Sequence, residues 1–190
     1  MLVIGNGESR KGIDIGQYTG IKVGCNAVYR DYAVDHLVCC DKRMVIEAQT
    51  GGYKGVIWTR KDWSNQFNEV HTLPQLPYSG SEWIRPDDPW HWGSGPYAVL
   101  LGAMLTKDTV DLIGFDLYSE TKFVNNIYKG TKNYDAETKK PVDPSYWIYQ
   151  IGKVIENFPN IKFRNYNKKI WPDKYSNLKN LDIGVFNVSN

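Results

Sequence analysis

Cysteine is scarce in this chain. Its 190 residues include only Cys25, Cys39 and Cys40. An odd count with one adjacent pair inside an apolar run makes a poor disulfide framework, so the sequence predicts buried, reduced thiols of the kind a cytosolic protein keeps. Net charge is scarce too. The formal balance is +2 at pH 7, which gives no electrostatic reason to expect a nucleic-acid or membrane partner. Long apolar runs are missing: the longest, "AVLLGAML" at 98–105, is far short of the ~20 residues that span a bilayer. The start lacks a basic segment followed by a long apolar one, so no targeting segment is visible. Repeats and low-complexity tracts are absent. So are the motifs that name a chemistry on sight: Cys/His zinc spacing, His-Glu-x-x-His, Gly-x-Ser-x-Gly, and a glycine-rich loop ending in Gly-Lys-Ser/Thr. No metal site is read from a motif.

Aromatic residues, in contrast, are plentiful at 14%, with seven Trp and thirteen Tyr. They fill an α/β core or line a groove. At this length the chain makes one full domain with a sizeable core. Short apolar runs alternate with longer mixed segments. The runs predict strands at Leu2–Gly5, Ile21–Cys25, His36–Cys40, Gly55–Thr59, Val70–Leu73, Val110–Phe115 and Ile161–Tyr166. Several, such as "LVCC" and "VDLIGF", are continuous rather than alternating, as strands covered on both faces are. Helices are predicted at Arg43–Gln49, Ser94–Thr106 and Tyr146–Asn157. The last carries Trp147, Ile151, Val154, Ile155 and Phe158 on one stripe, and Pro159 ends it. Buried strands alternating with helices predict one Rossmann-like α/β domain, a mostly parallel sheet with helices on both faces. We expect it to span residues 1–166, with 167–190 as a C-terminal extension. Pro74 to Trp92 and Ser119 to Pro144 read as long loops, the kind that often carry function.

In an open parallel sheet, ligands sit beyond the carboxyl ends of the strands. Conspicuous residues follow several strands: Gly5-Asn6-Gly7-Glu8-Ser9, Cys25-Asn26, Asp41, and Gly114-Phe115-Asp116-Leu117-Tyr118. Gly-Asn-Gly is either a ligand-binding turn or a plain one. It is not a dinucleotide fingerprint, because Arg10 stands three residues after Gly7. Gly93-Ser94-Gly95-Pro96 reads as a helix start, whose free amides favour an anion or are simply capped. Asp41 and Asp116 either contact a ribose, a base edge or a metal, or are solvated turn residues. Among the histidines, His36 and His71 fall in strands and read as structural. His91, between two tryptophans and beside the Gly-Ser-Gly turn, is the candidate for chemistry or else packs between its neighbours. The polar strand ends Asn6, Asn26, Asp41, Ser94 and Asp116 are expected to line one cleft.

In order along the chain, "VIGNGES", "VGCNAVYRDY", "LVCCDKR", "WGSGPYAVLLGAML" and "VDLIGFDLY" resemble the bacterial CMP-sialic-acid-dependent sialyltransferases. The pattern is also similar to the motility-accessory, glycan-related proteins and to the archaeal 6-hydroxymethylpterin pyrophosphokinases. The resemblance covers about residues 1 to 165, and small phage-encoded members of that group fit the compact size. It implies a glycosyltransferase-like protein that uses a CMP-sugar type of donor as co-substrate, with no separate cofactor, a glycan or other acceptor as partner, and a cytoplasmic location; a homo-oligomer is compatible with it. By position it implies that Asn6, Gly7 and Ser9 border the phosphate and sugar, and that Asn26 contacts the nucleotide phosphate or ribose. Ser94 and Gly95 would lie at the donor carboxylate and sugar, and Asp116 and Tyr118 would frame the nucleotide. Tyr118 would donate to the phosphate, with Tyr128, in the mobile loop that follows, as a second donor.

One departure matters. The sialyltransferases place a general-base histidine shortly before their last long helix, and the matching "KKPVDPSYWIYQ" has none. A base of that kind is worth roughly 10²–10⁴ in rate. Asp143 and His91 are the substitutes the sequence offers. The competing expectations are a pyrophosphokinase-like transfer from ATP, with Mg²⁺ held by Asp41 and Asp116, and a non-catalytic phage or host interaction protein that retains the fold.

Overall fold

A computed structural model describes residues 1–16, 18–76, 92–167 and 174–186. The apolar runs become strands β1 (Leu2–Ile4), β2 (Lys22–Cys25), β3 (His36–Val38), β4 (Val56–Thr59), β5 (Val70–Thr72), β6 (Thr109–Ile113) and β7 (Lys162–Tyr166). An eighth strand, β8 (Leu178–Leu181), lies in the expected C-terminal extension. The helices are α1 (Lys42–Thr50), α2 (Ser94–Leu105) and α3 (Ser145–Asn157).

All eight strands form one parallel sheet in the order β5-β4-β3-β2-β1-β6-β7-β8. The chain winds outward from β1 to β5. It then returns through α2 to lay β6 on the other side of β1. That reversal is a topological switch point, and it opens a crevice at the carboxyl ends of β1 and β6.

Strand burial explains the unalternating runs. Leu2, Val3 and Ile4 are fully buried, as are Val110, Leu112 and Ile113, so both sides of the central strands are covered. A Cβ on Gly102 of α2 would press on Val3, and one on Gly24 of β2 would press on Val28 and Val34. Val3 is in register with Val23, the residue before Gly24, and successive strand residues face opposite ways. Hence α2 covers one face and the turn over Asn26–Arg30 covers the other. α3 packs on α2, and α1 packs on that turn. Helix α2 is buried along most of its length, which is why its sequence is apolar all round rather than amphipathic. The three cysteines are buried and form no disulfide. Among the described residues, no helix is long and apolar enough to cross a membrane.

Candidate functional site

The crevice at the switch point is a cleft of about 360 Å³. Asn6 and Gly7 reach it from the end of β1, Asn26 from β2, Asp41 from β3, Ser94 and Gly95 from the start of α2, and Asp116 and Tyr118 from the end of β6. The five polar strand ends expected to converge do converge.

Close backbone approach makes this geometry possible. Gly5 donates its amide to the Ile113 carbonyl at 2.8 Å, and Gly7 donates to Gly114 at 2.8 Å. A Cβ at Gly5 would run into the Gly114 carbonyl, and Gly114 itself has φ +68, the left-handed region that glycine adopts without strain. At Gly7 a Cβ would sit 2.5 Å from the Asp116 carboxyl. That carboxylate is 5% exposed. It accepts from the Ser9 amide at 2.9 Å, from the Ser9 hydroxyl in a short bond, and from Asn167 Nδ2 at 3.1 Å. Asp116 therefore ties the turn after β1 to the turn after β6, and the Ser9 hydroxyl is spent on it. Leu117, next along the cleft wall, has φ 62, a strained conformation for a branched residue that costs ~1–3 kcal/mol.

Ser94 performs the same joining task on the other flank. Its hydroxyl donates to Asn26 Oδ1 at 2.8 Å and accepts from the Cys40 amide at 2.9 Å. The start of α2 is thereby fixed to the ends of β2 and β3. Asn26 sits at φ 52, a region asparagine tolerates. The first residues of α2, Ser94 and Gly95, line the cleft; their amides have no preceding helical carbonyl to bond, and the positive end of the helix dipole lies there. Asp41 leads into α1 with its side chain exposed, 4.0 Å from Arg43. Arg60, at the end of β4, is the one cation among the described lining residues. It is held by Asp62 at 3.2 Å and lies over the Trp63 ring. Burial, with the Asp116 charge adding to it, pushes the Tyr118 phenol up to about 12, so it remains an O–H donor at neutral pH.

Tyr128 and Asp143, like Ser9, are placed outside the cleft lining. Tyr128 is 4% exposed. Its hydroxyl donates to Asp31 at 2.7 Å and accepts from Arg10 Nη2 at 2.7 Å, so its proton is already committed to a carboxylate. Asp143 is exposed, and its carboxylate accepts from the Ser145 amide at 2.9 Å. That bond holds its pKa below the usual carboxylate value, so the group caps α3 and is a weak base. His91 lies outside the described residues.

Residues that the sequence reading missed complete the wall. Arg10 is 1% exposed. It donates to the Gly5 carbonyl at 2.7 Å, pairs with Asp31 at 3.2 Å, and faces the rings of Tyr32 and Tyr128. The 119–144 loop is a strap pinned across the strand ends. Ile127 donates to the Asn6 carbonyl at 2.9 Å, Asn125 accepts from the Glu8 amide at 2.8 Å, and Lys129 pairs with Glu8 at 2.7 Å. Tyr134 of the strap lines the cleft, and its hydroxyl accepts from Asn6 Nδ2 at 3.1 Å and from the Ala27 amide at 3.2 Å.

Comparison with protein-family models, with curated proteins and with solved structures finds no match for this chain. Its likeness to the sialyltransferase group therefore rests on the motifs quoted above, and the chemistry of the cleft rests on the geometry.

Proposed function

We propose that the cleft binds a nucleotide-activated sugar by its nucleotide half, and that the protein is glycosyltransferase-like, acting on a CMP-sugar type of donor. The observation that carries this reading is the arrangement around Ser94. One buried hydroxyl locks Asn26, the Cys40 amide and the start of α2 together, so that amide donors, a helix N-terminus and neutral side-chain amides face one space at the switch point. Such a set suits a phosphate flanked by a ribose and a sugar. The leaving phosphate would be stabilised by preorganised donors, namely the Ser94 and Gly95 amides and the Tyr118 hydroxyl, while the walls orient the anomeric carbon.

The donor set fits the pyrophosphokinase alternative less well. Asp116 already accepts three hydrogen bonds, and Asp41 stands exposed beside Arg43. The testing experiment is a thermal-shift screen with CMP, CDP, UDP, GDP and ATP, each with and without Mg²⁺. A ligand at 100 times its Kd stabilises by about 2.7 kcal/mol. We expect a cytidine nucleotide to stabilise without Mg²⁺. Stabilisation by ATP alone, and only with Mg²⁺, would transfer the assignment to the pyrophosphokinase reading.

A further inference from the structure

The cleft has two unlike walls. Its polar wall runs along the sheet edge from Asp41 through Asn26 and Asn6 to Asp116. The wall beyond Asp116 combines Leu117, Val142 and Trp147 with the neutral polar side chains of Ser119, Asn125 and Asn126, and no charged side chain belongs to it among the described residues. Trp147 is its broadest surface. The indole edge rests over the start of α2, with Nε1 3.4 Å from where a Cβ on Gly93 would stand. The ring is half-buried, and no acceptor among the described residues takes its N–H. Val142, at the mouth, is 52% exposed, and Tyr146 on the first turn of α3 is 45% exposed.

We propose that this second wall is the acceptor subsite, and that it takes the ring of a neutral glycoside stacked by its C–H face on Trp147. The inference rests on the nucleotide-sugar reading. Three observations fix the occupant. The polar donors along β1 to β3 are those a nucleotide and its phosphate would use, so the ring on the far wall belongs to the other substrate. The wall carries no charge, so it matches a neutral group and leaves a charged one without a partner. An aromatic face with one spare N–H suits a ring whose faces are apolar and whose edge carries hydroxyls. Because Trp147 adjoins the first amides of α2, a hydroxyl on that ring would stand beside the donor phosphate, where transfer needs it.

The experiment titrates full-length protein, alone and saturated with CMP, with methyl and phenyl glycosides of several neutral sugars, followed by calorimetry. Trp147→Ala, Trp147→Phe and the exposed-site variant Val142→Ser are measured beside wild type, and CMP affinity is measured for all. We expect phenyl glycosides to bind more tightly than methyl ones. Trp147→Ala should weaken glycoside binding roughly tenfold, Trp147→Phe should restore most of it, and Val142→Ser should weaken the phenyl series alone. CMP affinity should change less than about twofold. The subsite is overturned if no glycoside binds wild type in either state, or if Trp147→Ala and Val142→Ser leave glycoside binding intact. It is also overturned if Trp147→Ala costs CMP as much affinity as glycoside, because the wall would then hold the nucleobase. Glycoside binding in a protein that binds no CMP would sink the nucleotide reading and leave the ring subsite standing.

Discussion

The two flanks of the switch point are built differently. Where β1 meets β6, the backbone turns are in contact, a buried arginine braces one of them, a buried carboxylate bridges both, and the strap lies across them. Where β3 and β4 end, Asp41 is exposed, and the Arg60 side chain, 13% exposed, lies against Asp62 and Trp63. Substitutions on the first flank should register as folding energy. On the second they should register as ligand affinity. The contrast describes a rigid frame that sets the position of a phosphate and an adaptable edge that meets the rest of the ligand.

The strongest way to break this contrast is at Arg10. Arg10→Met leaves the Gly5 carbonyl without its donor and removes the cation from Asp31, which keeps its bond from Tyr128, so we expect a loss of about 2–3 kcal/mol in urea unfolding. A loss under 1 kcal/mol would mean that the bracing is ornamental. Gly5→Ala comes next. Both of its closest neighbours are backbone atoms of Gly114, which cannot swing aside, and overpacking of that kind costs ~1–3 kcal/mol. Ser94→Ala leaves the Cys40 amide buried without its partner, for about 1–2 kcal/mol, and it should also lower nucleotide affinity because the start of α2 is released. Asp41→Asn sharpens the opposite pole: stability should stay within about 0.5 kcal/mol while ligand affinity moves.

A smaller effect of pH tests how the strap is fastened. Burial alone would raise the Glu47 pKa, but hydrogen bonds from Arg30, Tyr29 and Asn133 outweigh it and hold the group below its ordinary value. A folded-state pKa lowered in this way stabilises the protein above the unfolded value, and the stabilisation is lost as pH falls through the folded value. Asn133 belongs to the strap and bonds Glu47 at 2.6 Å. Proteolysis of the strap should therefore accelerate below about pH 4.5, and Glu47→Gln should flatten that dependence.

Much of this was legible in the chain. β1 and β6 were readable because strands buried on both faces must be apolar throughout, and convergence of the polar strand ends followed because a parallel sheet delivers every carboxyl end to one edge. β8 was not readable. "LKNL" is half-buried and polar at its centre, and its place comes from backbone pairing with β7, which leaves little mark on side-chain choice. Arg10 stood out only as the residue that breaks the dinucleotide fingerprint, since nothing local reveals that Asp31, Tyr32 and Tyr128 surround it. Tyr134 sits in the polar stretch "KGTKNYDAETKK", and only the strap's path brings it over Asn6. Trp147 was read as part of the core stripe of α3. The first turn of that helix overhangs the cleft, so the same face that packs the core further along is lined up with a ligand there.

The central claim is that the frame at the switch point holds a nucleotide phosphate, and amide chemical shifts during a CMP titration test it most directly. The account predicts that the largest changes fall on Gly7, Asn26, Ala27, Ser94 and Gly95, with small ones at Asp41 and none along 12–16, which borders a separate hollow of about 450 Å³. Changes concentrated in that hollow, or no saturable change with any nucleotide, would contradict it.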